Sequence, residues 1–267
     1  MIKRMTSIMA ACCALTCAAD ELTHWAKQAQ NPLADLIRIP AETRLDFGYG
    51  HKGAVNWTTA LTPSMVSRIS TDWNLVNRLN IPFKYQPGRT PGEKDSFGLG
   101  DILYESLYTP FGSRKISLGA GPAFQIPSGT DPQLGTRKWS AGLAAAVNAE
   151  TGPLVFGLRA NQLWSFAGDN HRPDVNQTRV EYWFYANLGN GWWIGTSPVN
   201  TINWEASSDK RWTVPIGGGF GKIIDGRLPL NLKLEAYSFA EIPDDLSDGS
   251  LFFTIEYLIP ENALFKR

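Results

Sequence analysis

The chain has 267 residues, 43% of them hydrophobic and 19% charged, enough to bury a full core within one domain. Its 25 basic and 25 acidic side chains balance, and nothing in their distribution suggests a nucleic-acid partner. No apolar run reaches the roughly 18 to 20 residues that a membrane helix needs, which excludes a helical membrane protein but leaves open a barrel, whose strands need only about 9 to 11.

Residues 1–19 read as a secretory signal peptide: Lys3 and Arg4 precede a small-residue apolar run from Ile8 to Ala19, followed by Asp20 and Glu21. Cys12, Cys13 and Cys17 all fall inside it, so the exported chain carries no cysteine. Lipidation at Cys12 is the competing reading, on a loose Met9-Ala10-Ala11 match. Loss of Lys3 and Arg4 leaves 23 basic against 25 acidic residues. Residues 20–41 form a leader in which Asn31-Pro32, followed by Leu33, Ala34, Leu36 and Ile37, predicts a short helix with Asn31 as N-cap. That helix either lies under a barrel mouth, enters it as a plug, or belongs to a mobile leader.

Residues 42–260 carry twelve strand candidates: 43–50, 54–69, 73–86, 97–109, 115–127, 137–149, 153–167, 174–188, 191–204, 211–223, 228–239 and 250–260. Alternation is plain in Leu228 to Ser238, where Leu228, Leu230, Leu232, Leu234 and Ala236 oppose Pro229, Asn231, Lys233, Glu235 and Tyr237. A β-sandwich would alternate in the same way, so the connections decide. Compact turns such as Ser70 to Asp72, Gly189-Asn190 and Asp225 to Arg227 alternate with longer polar loops such as Pro87 to Ser96, Ser128 to Thr136 and Ala240 to Gly249. This is the pattern of an outer-membrane barrel with short periplasmic turns, longer outer loops and both termini periplasmic.

Aromatics at strand ends supply a second argument. Trp73, Trp192, Trp193 and Tyr108 stand beside short turns, and Tyr85, Trp139, Trp164, Trp204 and Trp212 beside long loops, as two interfacial girdles. Trp57 and Trp183 alone lie mid-strand. The fold class expected is therefore all-β, a transmembrane antiparallel up-and-down β-barrel of about 12 strands with a short N-terminal helix. Pro63, Pro82, Pro122, Pro198 and Pro215 fall within strands, where each removes a ladder donor, so they should mark bulges or strand ends. Residues 261–267 form a tail beyond the last strand.

Six blocks in order are familiar: Gln30 to Ile37, Asp72 to Leu75, Phe97 to Asp101, Lys138 to Gly142, Gln162 to Gly168 and Arg211 to Gly219. Together they resemble the outer-membrane transporter-like β-barrel family of the MetA-pathway of phenol degradation, some members of which carry a neuromedin U label. The resemblance implies a barrel in the bacterial cell outer membrane associated with uptake of aromatic or other small molecules, and it supplies no catalytic residues. The tail after Pro260 and the compact first loop, His51 to Gly53, depart from that pattern.

If the apolar faces meet lipid, the opposite faces place Arg44, Asp46, Arg68, Arg78, Lys84, Asp101, Glu105, Arg159, Arg179, Glu181, Lys233, Glu235 and Glu256 in the lumen. Such charges must face water or pair across the bore. A near-balanced lining predicts weak ion preference. Arg78, Arg159 and Arg179 are the candidates for contacting an anionic or aromatic solute. Small residues in three strands, among them Gly119, Gly121, Gly142, Ala144, Gly219 and Gly221, leave room on one wall for a solute or for the leader helix.

The expected partners are outer-membrane lipid and a small solute. No cofactor is implied. A phospholipase-type site would need a serine beside a histidine, and His24, His51 and His171 lie in the leader and in loops. A metal at His171, Asp169 and Asp174, and a phosphate loop at Gly217 to Gly219, lack the further ligands and the following lysine-bearing helix. The alternative to a channel is a structural or surface-binding barrel.

Overall fold

A computed structural model describes residues 21–112, 115–243 and 247–260; the segments expected as a signal peptide, 1–19, and as a tail, 261–267, lie outside the described residues. The strand segments are β1 (Leu36–Tyr49), β2 (Ala54–Leu61), β3 (Ser64–Arg68), β4 (Trp73–Gln86), β5 (Ser96–Leu99), β6 (Ile102–Pro110), β7 (Ile116–Ile126), β8 (Lys138–Thr151), β9 (Leu154–Gly168), β10 (Asn176–Gly189), β11 (Trp192–Thr196), β12 (Val199–Asn203), β13 (Trp212–Ile224), β14 (Leu230–Glu241) and β15 (Gly249–Pro260). Three staves are each built from two segments, β2 with β3, β5 with β6 and β11 with β12, so the sheet closes as a 12-strand antiparallel barrel. The seam joins β1 to β15, from Leu36 opposite Pro260 to Phe47 opposite Gly249. Closure satisfies every edge, as a structure surrounded by hydrocarbon must. No helix of the described chain is long and apolar enough to cross a membrane.

The prolines explain the interruptions. Pro63 separates β2 from β3 and Pro198 separates β11 from β12. Pro215 sits at a register shift between β13 and β14. Pro82 lies opposite the gap between β5 and β6, where Gly100 N donates to its carbonyl at 2.8 Å. For these four the missing donor is matched to a place where the ladder is already broken, whereas Pro122 lies inside β7 in unbroken register with Leu143 of β8, and the pairing of β7 with β6 lapses between Ala120 and Ala123.

Outward side chains are apolar along every stave. Leu143 (67% exposed), Phe166 (68%) and Phe184 (49%) are typical of a surface that water would not tolerate and lipid would. Trp73, Trp192 and Tyr108 stand exposed at the short-turn end and Trp139, Trp164, Trp204 and Trp212 at the other. Trp193 departs from the expected girdle. Next to outward Trp192 on one strand, it must point inward, and it is 1% exposed with its indole N–H donating to Asn231 Oδ1 at 3.3 Å.

The short helix occupies residues 21–30, ahead of Asn31 instead of after it. Asn31 N donates to Lys27 O at 3.1 Å, closing the last turn, and its side-chain oxygen accepts from Leu33 N at 3.0 Å. Pro32 then stops the helix, since proline is as natural just past a helix end as at its first position. Leu36 and Ile37 belong to β1, which starts earlier than the sequence pattern suggested because Pro40 does not break it: the Pro40 carbonyl accepts from Thr62 N at 2.9 Å, beside the β2–β3 interruption.

Candidate functional site

The site is the barrel interior, and its floor is the leader. Ala26 and Ala29 of the helix are buried among inward-facing Val155, Trp183, Tyr185, Trp193, Ile223 and Leu258, all near the short-turn end. Two tryptophans make this packing possible by lying flat over glycines on neighbouring strands. A Cβ on Gly157 would stand 2.4 Å from Trp183 Cζ2, and one on Gly221 would stand 2.1 Å from Trp193 Cζ2. Each indole N–H finds an asparagine, Asn148 at 2.9 Å for Trp183 and Asn231 for Trp193. Gln30 closes the helix against the wall through a reciprocal amide pair with Asn187, at 3.1 and 3.0 Å.

Beyond the helix, Leu33 is buried with Val66, Val76, Leu103, Leu107 and Ala123. Its Cδ2 occupies the space above Gly119, where a Cβ would come within 2.9 Å. Over Gly119 the small-residue wall is therefore filled by the chain's own leader, and over Gly221 by Trp193. Burying Leu33 contributes about 2 kcal/mol to holding that leader in place.

Above the floor the lining is ionic, and almost every carboxylate is spoken for. Glu105, 1% exposed, accepts from Arg78 Nη1 at 3.2 Å and Asn161 Nδ2 at 2.7 Å, with Arg159 Nη1 at 3.9 Å. Arg159 also pairs with Glu181. Across the bore Lys233 bridges Glu42 at 3.3 Å and Glu235 at 2.9 Å, and Glu235 further accepts from Ser197 and Tyr237 hydroxyls at 3.0 Å each. Arg38 pairs with Glu256 at 2.6 Å, which also accepts from Asn231 Nδ2 at 2.8 Å. Asp46 takes Ser250 Oγ at 2.5 Å and Arg44 Nε at 3.0 Å.

The other end is narrowed by the segment between β7 and β8. Leu134 is 1% exposed, and its carbonyl accepts from Lys84 Nζ at 3.2 Å. Asp101, at the β5–β6 interruption, fixes this segment by accepting from Thr136 N and Thr136 Oγ1, both at 2.6 Å, and from Gly129 N at 3.2 Å. Arg172 adds hydrogen bonds to the Pro132 and Gly135 carbonyls at 2.8 and 3.0 Å. Between this segment and the helix lies a cavity of about 760 Å³.

Arg44, Asp46, Arg78, Lys84, Asp101, Arg159, Arg179, Glu181, Lys233, Glu235 and Glu256 line that cavity, and Glu105 lies behind it under Arg78, Arg159 and Asn161. Arg68 does not belong with them. At the last position of β3 its guanidinium turns back over the short turn, donating to Ser70 O at 3.1 Å and Thr71 O at 3.2 Å and stacking on Phe111 at 3.9 Å. Arg38 and Glu42 are lumen charges that the pattern missed. Their alternation with Ile37, Ile39 and Ala41 was the available signal, hidden by Pro40. His51 bonds the Arg89 carbonyl and His171 the Asp169 carboxylate, so neither is paired with a serine as a hydrolase would require.

A closed 12-strand antiparallel barrel without a transmembrane helix among the described residues is consistent with an outer-membrane β-barrel. The chain is similar to an outer membrane channel from Pseudomonas putida F1, with a TM-score of 0.64 and 15% identity over 85% of this chain and 97% of that one. It is also similar to the NanC porin, with a TM-score of 0.51 and 10% identity over 84% and 98% of the two chains. Outer membrane phospholipase A from Escherichia coli aligns less well, with a TM-score of 0.43 and 12% identity over 86% and 97%. No family model and no curated protein matches the sequence.

Proposed function

We propose that this barrel is a bacterial outer-membrane channel that passes small solutes, aromatic ones among them, through a charged and partly occluded lumen. The observation that carries the reading is the cavity of about 760 Å³ enclosed between the leader helix and the inward segment around Leu134. An interior meant only as a scaffold has no need of a hydrated space lined by cations and carboxylates, and filling it with side chains would cost less desolvation. The apolar outer face supports lipid as the surrounding partner. Leu36 opposite Pro260 sets both chain ends of the barrel at the short-turn end, which supports a periplasmic position for both.

In this reading the floor is the moving part. The helix is held by Ala26 and Ala29 with Leu22 and Trp25 packed beside them, by the Gln30 amide pair and by Leu33, side-chain contacts in place of the continuous hydrogen-bonded ladder of the wall around it. Planar-bilayer recording on refolded protein tests the reading: small conductance steps are expected from the full barrel, and larger ones after removal of residues 20–35. Silence from both forms would point to the competing reading, a closed structural barrel, which the ion pairs of Glu105 and Lys233 favour.

A further inference from the structure

Acids and bases are nearly equal in number in the lumen, but they are not equally neutralised. Glu42, Glu105, Glu181, Glu235 and Glu256 each meet a cation. Asp101 is instead satisfied by neutral donors, Thr136, Gly129 and Gln125. That arrangement leaves cations over. Lys84 donates only to the Leu134 carbonyl, and Arg179 has neither an ion pair nor a hydrogen bond among the described residues. Arg44 has one carboxylate, Asp46, and its side chain is 44% exposed.

The topology sets these three against one another. Arg44 on β1 and Lys84 on β4 both stand opposite Thr58 on β2, which makes one row across three adjacent staves. The β10 stave is six places from the β2 stave in either direction round the barrel, so Arg179 faces that row across the bore. All three line the same cavity; Arg179 also lies near Glu105 and Glu181, which Arg78 and Arg159 already hold, and Lys84 near Asp101, whose oxygens are taken by Thr136, Gly129 and Gln125. Three cations converging on one space repel each other, and an anion between them relieves that repulsion. Phe252 lies beside Arg44, 6.0 Å from its guanidinium carbon, and lines the same cavity.

We infer that Arg44, Lys84 and Arg179 form a subsite in the lumen for a small organic anion, a carboxylate carried on an apolar body that Phe252 accepts. This rests on the channel reading for its biological use but not for its existence. At this level of the bore the subsite replaces the expectation of weak ion preference with a local attraction for anions, because Lys84 and Arg179 have no direct carboxylate partner among the described residues. Arg78 and Arg159 are not part of it, because Glu105 and Glu181 already hold them.

Calorimetric titration of the refolded protein in neutral detergent with benzoate, acetate and benzyl alcohol tests the subsite without requiring conduction. Benzoate should bind, acetate about tenfold more weakly, and benzyl alcohol not measurably. Arg179→Gln and Lys84→Gln should each weaken benzoate about tenfold, while Lys222→Gln at a short turn should leave it unchanged. Equal binding of benzyl alcohol and benzoate by the unsubstituted protein would overturn the proposal, whatever the variants do, and so would no benzoate binding at all. Reversal potentials under a KCl gradient separate the two readings. Benzoate binding without conductance sinks the channel and keeps the subsite, whereas conductance without anion preference, in a protein that binds no benzoate, sinks the subsite and keeps the channel.

Discussion

Replacing Glu105 by glutamine removes one negative charge from a position that is 1% exposed and leaves its three partners in place. Arg78, at 3.2 Å, loses its only ion pair among the described residues, Asn161 keeps an acceptor, and Arg159, at 3.9 Å, retains Glu181. Breaking a buried pair costs about 3 to 5 kcal/mol, chiefly because the surviving charge is left unpaired. Arg78 has 26% of its side chain exposed to the cavity and can draw in water, so the lower end applies, about 3 kcal/mol. Urea unfolding in lipid vesicles, followed by tryptophan fluorescence, measures this directly. The double variant with Arg78→Gln should recover about 2 kcal/mol of the loss, because it removes the orphaned cation. A Glu105→Gln barrel within about 0.5 kcal/mol of the parent would refute the reasoning and mean that bulk-like water already screens the network.

Three further expectations concern other parts of the barrel. Gly221→Val should displace Trp193, whose ring occupies the space that a Cβ would need, and destabilise the fold by about 1 to 3 kcal/mol in the same urea assay; an unchanged midpoint would mean that the indole has another place to go. Gln30→Ala should loosen the leader by about 1 kcal/mol through loss of its paired amide bonds with Asn187, seen as faster hydrogen exchange at residues 21–30 with the strands unaffected. In the outer loop, Thr90 N and Arg89 N hold Glu93 below the usual carboxylate range, and Gly88 N with the Tyr85 hydroxyl does the same for Asp95. Both contributions are fully present at neutral pH and are lost as acidification passes the lowered values, so loop 87–95 should lose exchange protection only once the pH falls below the ordinary carboxylate range; protection in strong acid equal to that at pH 7, after correction for intrinsic rates, would contradict it.

The wall of the barrel was legible because strand alternation is a local property: Leu230, Leu232 and Leu234 against Asn231, Lys233 and Glu235 need no knowledge of the rest of the chain. Loop sorting then separated barrel from sandwich. What the sequence concealed was set by pairs of residues that meet only in the closed barrel. Asn31-Pro32 suits either end of a helix, and only the packing of Ala26 and Ala29 on Trp183 and Trp193 chooses between them. Arg68 fitted the inward phase of its strand, yet a turn beginning two residues later offered its carbonyls to the guanidinium. Trp193 read as an interfacial ring until Gly221, on the facing strand, supplied its berth. Net charge in the lumen was countable from the sequence, but which cations lack a direct carboxylate partner was not, because Asp101 turns its oxygens to the Thr136 backbone and hydroxyl.

Because every cysteine lies within residues 1–19, single cysteines introduced along β14 can be spin-labelled without background in protein produced without those residues. Accessibility in lipid vesicles, to oxygen from the membrane and to a water-soluble nickel chelate from the bore, tests the partition on which everything rests. Labels at 230, 232, 234 and 236 should respond to oxygen and hardly to nickel, and those at 231, 233 and 235 the reverse, with a period of two residues. Equal nickel accessibility on both faces, or the absence of any period, would contradict a lipid-embedded barrel with a hydrated interior.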